Sequence, residues 1–342
     1  MQIILDHSLR DHNTFAIDVK CKYFIRCHSV EDLFKLSRDE YFRILPYLIM
    51  GGGSNLLFTS DIDGAIVHYE GAETQVVEET DTEITLRVGA GLRWDAFVER
   101  VCREGLWGVE NLSWIPGDIG AAAAQNIGAY GSEICEVVSA VHAFDLSSGQ
   151  SVTFSTQECR YAYRYSVFKE RRYHHYLIYA VDIVLQKKGS ANLSYFRGYH
   201  PTSPSPMDIR KHVIGVRQAK LPDPAILPNS GSFFTNPFVT VEKFDEIRRD
   251  YPEVPHFHLE DGCVKIPAAW LIEQAGYRGK DVNGVGCFER QPLVIVKRDA
   301  VSGSDIVAFS HEVQAAILQK FGISLVPEVR IVTLDDLIPL DL

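Results

Sequence analysis

The chain has 342 residues, of which 46% are hydrophobic and 23% charged, and a formal net charge of −11. That length is more than one core usually holds, so two or three domains are expected, and the acidic balance argues against a nucleic-acid or anionic-membrane surface. The seven cysteines include no Cys-x-x-Cys pair and there is no His cluster at zinc spacing, which reads as reduced core thiols and no metal site.

The N-terminus, Met1-Gln-Ile-Ile-Leu-Asp-His7, lacks a basic region followed by an apolar core, and no apolar run approaches the roughly 18 residues of a spanning helix. A cytoplasmic protein with no membrane insertion is therefore expected. In chain order, Asn13–Ile17 reads as a short strand and Ser29–Leu36 as a helix with Val30, Leu33, Phe34 and Leu36 apolar. The apolar run Ile44–Met50 then feeds Gly51-Gly52-Gly53-Ser54-Asn55. Such a turn is either a hairpin connection or a cradle whose N–H groups converge on an oxyanion. It has neither the Lys-Ser/Thr of a Walker loop nor the glycine spacing of a dinucleotide fingerprint.

Residues 65–90 alternate in strand fashion, and Leu92–Arg103 is an amphipathic helix stopped by Gly105. The stretch Ser113–Gly131 threads four glycines and five alanines through apolar residues. So little side chain suits a backbone that must approach a partner closely, and Asp118 is placed to cap a helix whose first N–H groups face an anion such as a cofactor pyrophosphate. The alternative is a tightly packed helix between glycine turns. Val138–Phe144, Gln150–Phe154 and Tyr176–Leu185 read as further strands, and so many strands with few helices between them predict an α+β fold. Between Gly198 and Pro228 six prolines mark a domain boundary. Beyond it, helices are expected over Val241–Asp250, Pro267–Ala275 and Ser304–Lys320, with Val282–Val296 and Ile323–Thr333 completing a mixed α/β unit.

Three stretches carry groups suited to chemistry. Tyr161–Lys169 flanks Arg164 with aromatic rings, either to bind a planar carboxylate or ring, or as a strand with an exposed arginine. Pro228–Pro237 sets Ser232 between Gly231 and two phenylalanines. No histidine follows to activate it, so it is a proton donor or a plain turn serine rather than a nucleophile. Leu325–Val332 holds Glu328 in apolar surroundings, where it either faces solvent or is buried against a cation.

Taken together, Asn13-Thr14-Phe15, Gly51–Asn55, Ile115-Pro116-Gly117, Gln125–Gly131, Tyr163-Arg164, Lys220–Pro224, Gly231–Pro237, Ala269–Ile272 and Pro327-Glu328-Val329 resemble, in order, the UDP-N-acetylenolpyruvoylglucosamine reductases. The long segment between Tyr163-Arg164 and Lys220 is similar to the longer subtype, in which a tyrosine-bearing loop closes over substrate. The resemblance implies an FAD-binding domain of the vanillyl-alcohol-oxidase (PCMH) type in two subdomains, residues 1–66 and 67–205. A C-terminal substrate-binding domain would span 206–342, its last strand expected to return to the FAD region. It also implies that NADPH reduces the flavin and that a hydride then passes to the enolpyruvyl methylene of the UDP-sugar, yielding UDP-N-acetylmuramate for peptidoglycan synthesis.

By the same matching, Arg164, Ser232 and Glu328 would be catalytic, with Ser232 the proton donor to the α-carbon. Gly51, Gly52, Gly53, Ser54, Asn55, Pro116, Gly117, Ile119, Gly120, Ala121, Gln125, Asn126, Gly128, Ala129 and Gly131 would hold FAD. Tyr163, Tyr195, Lys220, Asn236 and Gln291 would meet the substrate, Lys220 at its diphosphate. Ala121 and Ala122 stand where many relatives have serines, and Thr235 where close relatives have a lysine. A monomer is expected. The competing readings are an FAD-dependent oxidase of small alcohols or hydroxy acids and an inert nucleotide-sugar binder.

Overall fold

The computed structural model describes all residues except 191, 197, 260, 261, 334, 335 and 338–342. It is an α+β fold whose sheets segregate by chain region. The first has the order Gln2–Ser8, Lys20–Cys27, Ile62–Tyr69, Tyr47–Met50. Its outer pair is antiparallel and its other two contacts are parallel. The second is antiparallel throughout, with Gln150–Ser155, Val138–Asp145, Tyr176–Gln186, Glu83–Gly89 and Thr74–Glu79 side by side. The third pairs Asn229–Ser232 with Val294–Lys297 and continues through Val285–Cys287 and Asp281–Val282.

Apolar residues from both ends of the chain share one core. Phe15, Phe58 and Ile66 pack in the same cluster as Phe233, Phe244, Ile306 and Ile317. The cluster is sealed by a parallel pairing of Arg330–Val332 with Leu56–Phe58, directly after the triple glycine. A second core lies under the antiparallel sheet, where Trp94, Phe97, Val98 and Val101 of the helix Trp94–Arg103 meet Val141, Val181 and Ile183. The helix is amphipathic in sequence because that one face is dry.

Two local expectations differ from the structure. Asn13–Ile17 is a turn, not a strand. The Asn13 amide donates to Leu9 and Ile17 carbonyls at 2.7 and 3.0 Å and accepts from the Ile17 N–H, so a side chain replaces the ladder a strand would need. In the proline-rich region, Pro206–Lys220 is a helix of 15 residues. Pro206 opens it, where no N–H is required, and Ser205 and Asp208 form a reciprocal capping box. The Arg210–Asp95 ion pair at 2.5 Å bolts this helix to Trp94–Arg103.

Candidate functional site

The strand Tyr47–Met50 delivers the chain into Gly51–Asn55, and the tertiary fold lays that turn against the alanine helix Ile119–Gln125. At Gly53, φ is +65° and a β-carbon would lie 1.8 Å from the His12 carbonyl oxygen, so only glycine fits. The Ser54 hydroxyl donates to the Pro116 carbonyl at 3.3 Å, tying the two backbone segments together. Between them and the strand Tyr176–Gln186 lies a cavity of about 420 Å³, lined by Gly51, Gly53, Ser54, Asn55, Gly120, Ala121 and Gln125. An adjoining chamber of about 170 Å³ shares Ser54, Asn55, Ala121, Gln125 and Glu328 and adds Pro116, Gly128, Arg164 and Ser232. The pair falls in the size range of ligand and cofactor sites. One wall is backbone of the glycine turn and the alanine helix, while Tyr69, Phe168, Tyr173 and Tyr176 line the cavity too, a combination that fits an extended dinucleotide cofactor with an aromatic ring system.

The alanine helix contributes differently from expectation. Asp118 occupies its N-cap position, but the side chain makes no capping hydrogen bond and turns instead toward Gly51, Gly52 and Arg93. The N–H groups of Ile119 and Gly120 donate to the Leu92 and Ala90 carbonyls at 2.9 and 3.0 Å. The start of the helix is therefore bonded to protein, and the anion-facing donors reduce to the glycine turn and the rest of the cleft wall. Asn126, in the left-handed conformation at the helix end, is also committed internally. Its amide donates to Glu133 and Ala162 and accepts from the Cys135 N–H, which holds the following loop in shape.

Arg164 sits in a tight turn closed by mutual Ala162–Tyr165 backbone bonds, not on a strand, and its φ of +53° is a left-handed strain of the kind concentrated at functional sites. That turn aims the guanidinium at Glu328, with Nε to Oε1 at 2.9 Å, while Nη2 donates to the Gly128 carbonyl at 2.6 Å. A β-carbon on Gly128 would come within 2.8 Å of Arg164 Nη1. Glu328 is not in a strand, because the ladder begins only at Arg330. It is pinned by its own N–H to the Phe233 carbonyl at 2.8 Å and by Asn55 donating to its carbonyl at 3.0 Å. Burial lifts the Glu328 carboxyl above its ordinary pKa, against the pull of Arg164 and Lys169. Burial lowers the Lys169 ammonium, against the pull of Glu328. Of the two readings of Glu328, the structure shows the buried one with its cation.

Ser232 ends the strand Asn229–Ser232 opposite Val294 and lines the same small chamber as Arg164 and Glu328. Tyr163 lies beside them, with Arg164 and Lys265 5.3 and 5.2 Å from its ring centre and the Asn236 amide donating to its hydroxyl at 3.3 Å. Asn236 also accepts from the Ala268 N–H at 2.9 Å. Lys220 is the last residue of the proline-flanked helix, and Arg290, next to Gln291, donates to the Ala219 carbonyl at 3.2 Å, which brings the Lys220 and Gln291 segments together. Tyr195 is about half exposed and its ring lies against Gly131. Ala129 pairs with Ser132 in the small hairpin that carries Gly128 and Gly131. Arg217, in the helix absent from the sequence reading, also lines the small chamber. A register of one helical turn before Lys220 was the signal available.

A glycine-built cleft with an arginine–carboxylate pair and a hydroxyl at one end, in a chain whose residues 21–155 match the FAD binding domain family, defines an FAD-containing oxidoreductase. Residues 223–332 match the family described as UDP-N-acetylenolpyruvoylglucosamine reductase, C-terminal domain. The UDP-N-acetylenolpyruvoylglucosamine reductase of Porphyromonas gingivalis is 42% identical over 96% of this chain and 99% of its own length. Among solved structures, the reductase of the same name from Thermus caldophilus superposes with a TM-score of 0.67 at 19% identity, covering 97% of this chain and 98% of that one. The 6-hydroxy-D-nicotine oxidase of Arthrobacter nicotinovorans shares the fold at a TM-score of 0.51 and 13% identity, over 94% and 86% of the two chains. The chain belongs to the UDP-N-acetylenolpyruvoylglucosamine reductase family, enzymes that carry out an FAD-dependent reduction in peptidoglycan precursor synthesis. No helix among the described residues is long and apolar enough to cross a membrane.

Proposed function

We propose that this enzyme reduces UDP-N-acetyl-3-O-(1-carboxyvinyl)glucosamine to UDP-N-acetylmuramate in the cytoplasm, with NADPH as the electron source. The observation that carries the reading is the meeting of Arg164, Glu328 and Ser232 on one chamber that opens into the glycine-built cleft. Bound FAD supplies the hydride. The Gly51–Asn55 turn and the 116–131 segment would hold FAD, with backbone donors covering the diphosphate where Ala121 and Ala122 carry no hydroxyl.

Hydride addition at the methylene carbon pushes negative charge onto the α-carbon and its carboxylate. Arg164, fixed by Glu328 and the Gly128 carbonyl, is a preorganised cation for that charge. Burial raises the Glu328 carboxyl against the pull of Arg164 and Lys169, and from its place beside Arg164 this acid holds and polarises the enol acid. Ser232 delivers a proton to the α-carbon. Tyr163 packs beside substrate or nicotinamide, and Asn236, Lys220, Gln291 and Tyr195 meet the UDP portion, Lys220 at the diphosphate. A visible spectrum of the purified protein tests the reading. The flavin band should bleach on adding NADPH and return on adding the enolpyruvyl sugar nucleotide without oxygen. Bleaching by a small alcohol or hydroxy acid instead, or a colourless protein, would overturn it.

A further inference from the structure

Among the described residues, the charged groups lining the large cavity are Lys169, Glu328, Arg330 and Asp336. Glu328 is paired with Arg164 at 2.9 Å, and Arg330 with Asp336 at 3.0 Å. His174 lines the cavity too, but burial and the nearby Arg330 lower its pKa against the pull of Asp336, so at neutral pH it is uncharged. Lys169 is the member of the set with no carboxylate in ion-pair range among the described residues. Its ammonium donates to the Arg164 carbonyl at 2.9 Å, and at longer range Glu328 attracts it while Arg164 and Arg330 repel it. The residue is exposed where it lines the cavity, yet its surroundings are crowded enough that desolvation lowers the ammonium. With the two ion pairs cancelling, the cavity wall carries one positive charge that the fold balances only with a carbonyl dipole and a distant, already paired carboxylate.

We infer that Lys169 sets the reduction potential of the bound flavin, its ammonium facing the ring system and favouring the reduced, negatively charged form. The inference rests on the reading of the large cavity as the flavin site. A hydride from NADPH brings two electrons and one proton and NADP leaves, so the ring gains one negative charge unless a further proton follows. Charge held near the reactive ring nitrogens is one of the protein's levers on a flavin. Three observations direct this charge to the ring. Phe168, Tyr173 and Tyr176 line the same cavity from the same stretch of chain, and an aromatic wall beside a cation suits a flat ring better than a phosphate. Glu328 lines both cavities, so a ring in the large one meets substrate in the small one close to the carboxylate that attracts Lys169. Lys169 does not line the small chamber, which separates its charge from the groups that meet the substrate. The bond to Arg164 fixes where the ammonium stands, because the acceptor belongs to a residue held at a φ of +53° in a turn closed by two backbone bonds.

The test is the flavin reduction potential of the FAD-loaded protein without substrate, measured by equilibrium titration against a redox dye for Lys169→Met, Lys169→Gln and Lys169→Arg. Methionine keeps the length of the side chain and loses the charge, and glutamine keeps an N–H donor for the Arg164 carbonyl without the charge. Loss of the cation should lower the equilibrium constant for two-electron reduction by about 10- to 100-fold in both uncharged variants, a fall of about 30 to 60 mV, while Lys169→Arg restores most of it. An unchanged potential in the uncharged variants would overturn the inference. So would a fall in Lys169→Met that Lys169→Gln does not share, which would make the bond to Arg164 the cause rather than the charge. Failure of both uncharged variants to retain FAD would assign Lys169 to holding the cofactor and would also count against it. Ala121→Phe, which puts a ring on the wall common to both cavities, separates the inference from the reading beneath it. It should abolish FAD retention, and full flavin occupancy would show that FAD lies elsewhere, a result distinct from the others.

Discussion

Removing the Ser232 hydroxyl separates its proposed role in chemistry from its role in the fold. Among the described residues that hydroxyl makes no hydrogen bond, and the pairing of Ser232 with Val294 is a backbone contact, so Ser232→Ala should change stability by less than about 0.5 kcal/mol. Its chamber also holds the Arg164–Glu328 pair, which the substitution leaves in place. A positioned acid contributes about 10²- to 10⁴-fold to a proton-transfer step. At 1.36 kcal/mol per tenfold, that is about 2.7 to 5.4 kcal/mol of barrier. Stopped-flow absorbance in the flavin band resolves the two half-reactions. Reduction by NADPH should proceed within about twofold of the unaltered rate, while reoxidation by the enolpyruvyl sugar nucleotide slows by two to four orders of magnitude, on the order given for general acids. Equal slowing of both halves would mean that Ser232 shapes the flavin site, and no slowing of either would mean that another group supplies the proton.

Gly53→Ala should destabilise the protein by more than the roughly 1–2 kcal/mol of a left-handed alanine, because its β-carbon would meet the His12 carbonyl, and a thermal melt with FAD content read in parallel checks it. An unchanged melting temperature and full flavin occupancy would show that the cradle is soft. Gly128→Ala should displace Arg164 from its 2.6 Å bond to the Gly128 carbonyl and slow flavin reoxidation more than flavin reduction, again by stopped flow. For acid stability, burial alone would raise the Asp182 carboxyl, but hydrogen bonds from Arg87 and His142 hold it below its ordinary value. A depressed folded-state pKa gives stability that is present above the unfolded value, near 4, and is lost as pH falls through the folded one. Denaturant melts of Asp182→Asn should therefore show lower stability at pH 7 and a shallower decline below about pH 4 than the unaltered chain. A parallel decline in both would mean other carboxylates dominate.

Local properties of the chain were visible without coordinates wherever one face or one turn decides them. The helix Trp94–Arg103 announces itself because its apolar residues recur at helical spacing, and Gly105 stops it with a φ of +80°. The α+β class follows from strand-like alternation with little helix between, and the glycine turn after Tyr47–Met50 is legible because three successive glycines offer almost no side chain. The helix Pro206–Lys220 was hidden by the same prolines that frame it, since Pro206 serves as a helix start rather than a break. Which residues pair across the chain was beyond sequence pattern. Glu328 could face solvent or a cation, and only the long-range packing of Phe233 and Asn55 against its backbone turns it to Arg164. Asp118 stands where a capping residue belongs, yet the Ala90 and Leu92 carbonyls take the helix's first donors, a competition set by the neighbouring sheet edge. Arg217 shows the same division. Its sequence neighbours make it a helix-surface arginine, and only the packing of that helix against the small chamber encloses the charge, with Asp95 attracting it from a distance. Propensity and periodicity act over a few residues, whereas desolvation and charge pairing depend on whichever distant segments the core draws together.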